Sequence, residues 1–138
     1  MAYLYVEASN NLAKWAEDVG LTRYIYKVGL SDENAEEAVE ALNEEAFAGQ
    51  TDWKLIKKEK VQDDADEAAL LERLAGREKP VDPTFYPRIK GAKGIFKVKF
   101  VNAENHVIAK KALDGDMEKN IRIKPTDIGE YLIHNATR

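Results

Sequence analysis

The sequence has no cysteine and only two histidines in its 138 residues. Without cysteine the protein cannot form disulfides, use a thiolate nucleophile or bind zinc through sulfur. His106 and His134 are too few, and too far apart in sequence, to predict a metal site without carboxylate ligands. Long apolar runs are also missing, because no stretch approaches the roughly 20 residues that a membrane-spanning helix needs. Thiol enzymes and disulfide scaffolds are therefore excluded, and we expect no membrane partner.

The start of the chain, residues 1–7, lacks the basic segment with which a signal peptide begins. We therefore expect a cytoplasmic protein. The length suits one domain, and a hydrophobic content of 44% can supply its core. We expect a single domain over residues 1–138, with a core over about 1–101 and a C-terminal extension over about 102–138.

Charge is unevenly distributed along the chain. Residues 1–78 contain 9 basic and 18 acidic side chains, whereas residues 79–138 contain 12 basic and 7 acidic side chains. A basic C-terminal part can bind phosphate, and an acidic N-terminal part can bind a basic protein surface. The two parts can equally neutralise each other within one fold, and the sequence leaves both interpretations open.

Hydrophobic periodicity organises the N-terminal part into strands and helices. Alternating apolar residues predict strands at residues 2–6, 24–28 and 53–61. Apolar residues at helical spacing predict helices at residues 12–19, 33–45 and, starting after Asp63 or Asp64, up to Gly76. We expect the first two strands to be antiparallel neighbours, with the glutamate-rich helix 33–45 packed across them.

The C-terminal part begins with the clearest strand pattern in the chain, at residues 94–101. A turn and a second strand at residues 106–112 predict a β-hairpin, followed by a short strand at 121–124 and a helix that opens at Pro125. All elements together predict an α+β fold, in which helices flank a small antiparallel sheet and a β-hairpin and helix form the C-terminal extension.

Two tyrosine-bearing segments carry a family resemblance. Residues 2–6 read Ala-Tyr-Leu-Tyr-Val, residues 26–31 read Tyr-Lys-Val-Gly-Leu-Ser, and a helix ending in Leu42-Asn43 follows. This order resembles the opening of the GIY-YIG endonuclease superfamily, and is most similar to its small viral and meiotic branch. In that branch the next elements are a strand, a helix with a glutamate and a Leu-His pair, and a Gly-x-Phe-Lys-Val strand. The elements predicted for residues 53–98 come in the same order. The resemblance covers roughly residues 1–101 and implies a GIY-YIG-like core.

The resemblance implies metal-assisted hydrolysis of a phosphodiester. In this superfamily a tyrosine lies near the attacking water, an arginine lies on the first helix and a metal-binding glutamate lies on a later helix. A divalent ion neutralises charge on the scissile phosphate, and the arginine stabilises the transition state. By position, Tyr5 matches the first tyrosine and Lys27 stands where many members have a second tyrosine. Glu67 matches the metal glutamate.

The departures from the family pattern argue against an active nuclease. Ala38 stands where the family has its helix arginine, and Leu70-Leu71 stands where it has the Leu-His pair. The predicted helix between the two tyrosine-bearing segments is also additional. Loss of a transition-state arginine lowers the rate about 10³-fold or more. Arg23 is the candidate replacement, so Tyr5, Lys27 and Arg23 are interpreted as a vestigial catalytic set.

We therefore expect a GIY-YIG-like domain with a degenerate nuclease site that acts as a nucleic-acid-binding module without a cofactor. The basic residues expected to contact nucleic acid are Lys54, Lys58, Lys60, Arg88, Lys90, Lys93, Lys97 and Lys99.

Two alternatives stay open at this point. One is a small interaction or inhibitor protein, of the kind that phages carry, which binds a basic protein surface through an acidic helix face. That face consists of Glu36, Glu37, Glu40 and Glu44, which have no lysine among them to compensate their charge. The other is an active endonuclease that uses Mg²⁺ or Mn²⁺ at Glu67.

Overall fold

The structure is a computed structural model that describes residues 2–32, 34–82, 86, 89, 92–113, 115 and 122–137. The strands are β1 (Ala2–Ala8), β2 (Ile25–Ser31), β3 (Lys54–Val61), β4 (Lys79–Pro80) and β5 (Ile95–Lys97). The helices are α1 (Asn10–Asp18), α2 (Ala35–Glu44), α3 (Glu67–Ala75), α4 (Phe100–Leu113) and α5 (Pro125–Thr137), with a 3₁₀ turn at Phe47–Gly49. The predicted α+β class is confirmed.

The strands form one antiparallel sheet in the order β3-β1-β2-β5-β4. Tyr5 of β1 pairs with Gly29 of β2, and Glu7 pairs with Lys27. The two tyrosine-bearing segments are therefore antiparallel neighbours, as expected. The β1–β3 pairing shifts register between Val6 and Glu7, which interrupts the regular alternation predicted for β3.

Apolar side chains pack on both faces of the sheet. One cluster joins Leu4 of β1 and Val28 of β2 to α3 and α5. The other joins Ile25 and Ile95 to α1, α2 and the buried ring of Trp53. Because α5 packs directly on β1 and β3, the end of the predicted C-terminal extension contributes to the same core as the N-terminal strands.

Side-chain caps explain where the first two helices begin. Ser9 Oγ accepts a hydrogen bond from the Leu12 N–H at 3.1 Å and donates one to the Asp52 carboxylate, which ties α1 to the segment before β3. Asn34 Oδ1 accepts a hydrogen bond from the Glu36 N–H at 2.8 Å, so α2 starts at Ala35, two residues later than predicted. None of the described helices is long and apolar enough to cross a membrane.

The predicted C-terminal β-hairpin is wrong. β5 ends at Lys97, and residues 100–113, which include the second predicted strand, form helix α4. The buried carboxylate of Glu78 accepts hydrogen bonds from the Lys99 N–H at 3.3 and 3.5 Å, at the point where the helix begins. His106 then packs against Tyr131 and His134 of α5, with ring centroids 5.5 and 4.8 Å apart. These long-range contacts override the local alternation. Residues 122–124 are not a strand, and residue 121 lies outside the described residues.

Candidate functional site

The β1–β2 pairing and the start of α3 bring together a group of polar side chains, here called the polar cluster: Tyr5, Glu7, Lys27 and Glu67. Tyr5 is only 6% exposed, and its side chain crosses over Gly29 of β2. A Cβ atom at Gly29 would lie 2.5 Å from Tyr5 Oη, so a glycine is required for this crossing. Burial and the negative charges of Glu7 and Glu67 raise the pKa of Tyr5. The predicted candidates Tyr5, Lys27 and Glu67 are therefore close enough to act on one another.

Lys27 is buried, with only 7% of its surface exposed. Its Nζ donates a hydrogen bond to the Lys93 carbonyl oxygen at 2.9 Å and lies 5.1 Å from the centroid of the Phe47 ring. Burial lowers the pKa of Lys27, while the charges of Glu67, Glu7 and Glu45 act in the opposite direction. The ammonium group is thus held by the protein itself and is not presented to solvent.

Glu7 is the member of the polar cluster that the sequence analysis missed. It has no exposed surface, and neither carboxyl oxygen has a hydrogen-bond partner within the part of the chain that the structure describes. Burial raises the pKa of Glu7 to about 8, although the positive charge of Lys27 acts to lower it. The carboxyl group is therefore largely protonated at neutral pH. A signal was available, because Glu7 follows Tyr5 at a spacing of two residues and so lies on the same face of β1.

Glu67 lies at the start of α3 and has a structural partner. Its Oε2 accepts a hydrogen bond from the Leu30 N–H at 2.8 Å. Leu30 lies beyond the part of β2 that pairs with β5, so the carboxylate satisfies a backbone donor that the sheet leaves open. The predicted metal ligand is thus already engaged by the backbone. Among the described residues, no group of three or more side chains is arranged to hold a metal ion.

We expect Glu67→Ala to lower the free energy of unfolding by about 1–2 kcal/mol, because the Leu30 N–H loses its acceptor. Glu67→Gln retains an acceptor oxygen and should lose less than half as much. Urea unfolding monitored by circular dichroism measures both changes. Glu72→Ala, at an exposed position of the same helix, is the matched control. If both alanine variants lose the same free energy, the hydrogen bond contributes nothing to stability.

Arg23 does not join the polar cluster. It is exposed, donates a hydrogen bond to Tyr24 Oη at 2.9 Å, and places its guanidinium 5.1 Å from the centroid of the Tyr24 ring. Ala38, which the GIY-YIG resemblance would align with the helix arginine, is half-buried on α2. The expected replacement of that arginine by Arg23 is therefore not seen in the structure.

The acidic face of α2 is exposed at all four predicted positions, Glu36, Glu37, Glu40 and Glu44. No lysine lies within this face itself, but the fold supplies one from outside it, because Lys58 of β3 forms an ion pair with Glu36 at 2.7 Å. The lysine was missed because it lies 22 residues away in sequence and reaches α2 only through the fold. An exposed pair of this kind stabilises a protein by at most about 1 kcal/mol.

The predicted nucleic-acid contacts do not form one surface. Lys54, Lys58 and Lys60 are exposed on β3, at one edge of the sheet, whereas Lys97 lies on β5, next to the opposite edge strand. Lys93 is exposed, and its carbonyl group holds Lys27. Arg88 and Lys90 lie outside the described residues. A contiguous group of basic residues can therefore form at one edge of the sheet, but not across both edges.

Such a group surrounds a cleft of about 550 Å³ beside β4 and β5, here called the basic cleft. Its basic side chains are Arg77, Lys79, Lys97 and Lys99. Lys79 and Lys97 are directly opposite each other in the β4–β5 pair. None of the four basic side chains forms an ion pair with a described residue. Of the described residues in the lining, Glu78 is the one that is acidic. It is 3% exposed, and its carboxylate accepts hydrogen bonds from the Lys99 N–H, Asn102 and Tyr131.

Two aromatic rings also line the basic cleft. Tyr24 and Phe100 are stacked, with ring centroids 4.9 Å apart and planes inclined by 25°. The Tyr24 carbonyl accepts a hydrogen bond from the Val98 N–H at 2.8 Å, which fixes the segment before β2 beside the end of β5. The alternating pattern predicts a strand through Phe100 and gives no sign of this pair, because the two rings are 76 positions apart in the sequence. The cleft thus combines four basic side chains, which form no ion pair with any residue that the structure describes, with an ordered aromatic pair.

Comparisons of the chain with protein-family models, curated proteins and solved structures give no match.

Proposed function

We propose that this chain is a nucleic-acid-binding module built on a GIY-YIG-like core with a degenerate nuclease site. The observation that carries the proposal is the basic cleft, where Lys79 faces Lys97 and neither forms an ion pair with an acidic residue that the structure describes. Like charges at directly opposite positions of an antiparallel pair destabilise a sheet. A bound phosphate backbone removes this repulsion, and phosphate contacts through lysine and arginine supply most non-specific nucleic-acid affinity.

The order of elements supports kinship with the GIY-YIG core. Tyrosine-bearing β1 lies between β2 and β3, helix α2 follows β2, and Glu67 lies on the helix after β3. α1, the additional helix predicted between the tyrosine-bearing segments, packs on β2 and leaves the β1–β2 pairing intact. The family relationship would therefore explain why Tyr5, Gly29 and Glu67 lie so near one another.

The polar cluster is unsuited to phosphodiester hydrolysis. Lys27 is buried and bonded to a backbone carbonyl, and Glu67 is bonded to a backbone N–H. The remaining carboxyl group, Glu7, has no exposed surface. These residues do not fit a catalytic divalent ion, which needs several accessible oxygen ligands. Cleavage of DNA in Mg²⁺ or Mn²⁺ that disappears in Glu67→Ala would overturn this part of the proposal in favour of an active nuclease.

We expect nucleic-acid binding to depend steeply on salt, measured by fluorescence anisotropy with a labelled single-stranded DNA and its duplex. Each phosphate engaged lowers log affinity by about 0.7–0.9 per log unit of salt, so four basic contacts predict a slope of about −3. Lys79→Gln and Lys97→Gln should each make the slope shallower by nearly one unit. Lys54→Gln, which removes the same charge from the opposite sheet edge, is the matched control and should leave the slope unchanged.

Two results would contradict this proposal. Absence of binding to either DNA at low salt would exclude nucleic acid as the partner. An equal effect of Lys54→Gln and Lys97→Gln would instead move the binding surface away from the basic cleft. The interaction-protein alternative has its own test, because reversing the charges of Glu36, Glu37, Glu40 and Glu44 should then abolish capture of a protein partner.

A further inference from the structure

We propose that the basic cleft holds one unpaired nucleotide of a single strand, with its base on the Tyr24–Phe100 pair and its phosphates on the surrounding lysines. This inference rests on the proposed function and adds the class of nucleic acid. It combines three observations: the size of the cleft, the geometry of its aromatic rings and the arrangement of its charges.

The size of the cleft suits a nucleotide and not a double helix. About 550 Å³ lies within the range of pockets that enclose small ligands. A duplex keeps its bases stacked and paired inside the helix, so rings at the wall of such a cleft can reach a base only after it has left the stack. A single strand presents its bases without that cost, and is therefore the preferred form.

The aromatic rings are ordered before any base arrives. Tyr24 and Phe100 are both half-buried and pack against the apolar core, and they already lie nearly parallel to each other. A base that extends this pair gains stacking energy without ordering new side chains.

The basic side chains lie around the aromatic rings, where they can contact the phosphates of a single-stranded nucleic acid. Lys97 and Lys99 are on the segment that leads directly into Phe100, and Arg77 and Lys79 are on the facing segment after α3. A base between the two segments therefore brings its own phosphate, and that of a neighbouring nucleotide, within reach of both. The buried carboxylate of Glu78 does not compete, because its hydrogen bonds are made to Lys99 N, Asn102 and Tyr131.

The experiment compares three labelled probes at low salt by fluorescence anisotropy: a 12-nucleotide oligothymidylate, an abasic strand with the same number of phosphates, and a 12-base-pair duplex. We expect the oligothymidylate to bind about tenfold more tightly than the abasic strand, as one base–aromatic stack predicts. The duplex should bind more weakly than the oligothymidylate.

Three variants assign the effect to the cleft. Tyr24→Leu and Phe100→Leu keep apolar volume but remove a ring, so each should bring oligothymidylate affinity down to that of the abasic strand. Lys97→Gln should weaken both strands by the same factor. Thermal unfolding of each variant identifies one that fails to fold, and the remaining ring variant then carries the test.

The outcomes separate this inference from the proposed function. Equal affinity for the oligothymidylate and the abasic strand, or tighter binding of the duplex, would overturn the single-nucleotide assignment and leave nucleic-acid binding intact. No binding of any probe would overturn both. Displacement of the oligothymidylate by an equal concentration of thymidine 5′-monophosphate would overturn the assignment to a strand in favour of a free nucleotide.

Discussion

Gly94→Ala should lower the free energy of unfolding by about 3 kcal/mol or more. Gly94 has φ +82°, a left-handed conformation that costs an alanine roughly 1–2 kcal/mol. Its Cβ atom would also lie 2.6 Å from the Val28 carbonyl oxygen and 2.6 Å from Lys27 Nζ. The Val28 N–H is bonded to the Gly94 carbonyl oxygen at 2.8 Å, so the two backbones cannot separate without losing that hydrogen bond. The overpacking adds about 1–3 kcal/mol.

Gly20→Ala is the matched control for this prediction. Gly20 has φ +86°, nearly the same conformation, but no atom lies within 4 Å of the position of its Cβ atom. Urea unfolding of both variants at one pH should therefore give a loss of about 1–2 kcal/mol for Gly20→Ala from backbone strain alone. Equal losses for the two variants would mean that the segment before β5 moves away freely and does not confine Lys27.

Glu7→Gln should change the pH dependence of stability strongly. The pKa of Glu7 is about 8 in the folded protein, above its ordinary value of 4.5. Between these two values the unfolded chain releases the proton and the folded protein retains it, so wild-type stability falls as pH rises from about 4.5 to about 8. Glutamine cannot ionise. The free energy of unfolding of Glu7→Gln, taken relative to that of the wild type, should therefore increase by on the order of 4 kcal/mol from pH 5 to pH 9.

Urea unfolding at pH 5, 7 and 9 measures this difference directly. Any constant effect of the amide group cancels, because the comparison is between pH values and not between side chains. Glu40→Gln, at an exposed position of α2, controls for the loss of one acidic residue. A difference that stays constant from pH 5 to pH 9 would show that Glu7 ionises in the folded protein as readily as in the unfolded chain.

The strands of the N-terminal part could be predicted because their faces differ chemically. In β1 the alternate residues Leu4 and Val6 enter one core, while Tyr5 and Glu7 point to the opposite side. A register shift of one residue would move the apolar side chains to the opposite face of the sheet. The hydrophobic pattern therefore determines the register. The same alternation predicts strands for Tyr5 and Lys27, and these two strands are neighbours in the sheet.

The C-terminal part could not be predicted in the same way, because distant residues decide its structure. The alternation through residues 94–101 favours a strand, but Glu78 and the rings of α5 stabilise a helix from Phe100 onward. The basic cleft depends on the same event. Its aromatic pair forms only when the start of α4 packs against the segment before β2. No local sequence pattern predicts this long-range contact.

The sheet ends very differently on its two sides. β3 forms one side with eight residues, four of them lysine, and β4 forms the other with two residues, of which Pro80 has no backbone N–H to offer. A strand from a second molecule would meet dense like charge at the first side and too few hydrogen-bonding groups at the second. Growth of the sheet into an intermolecular assembly is thereby discouraged at both sides, even at high protein concentration.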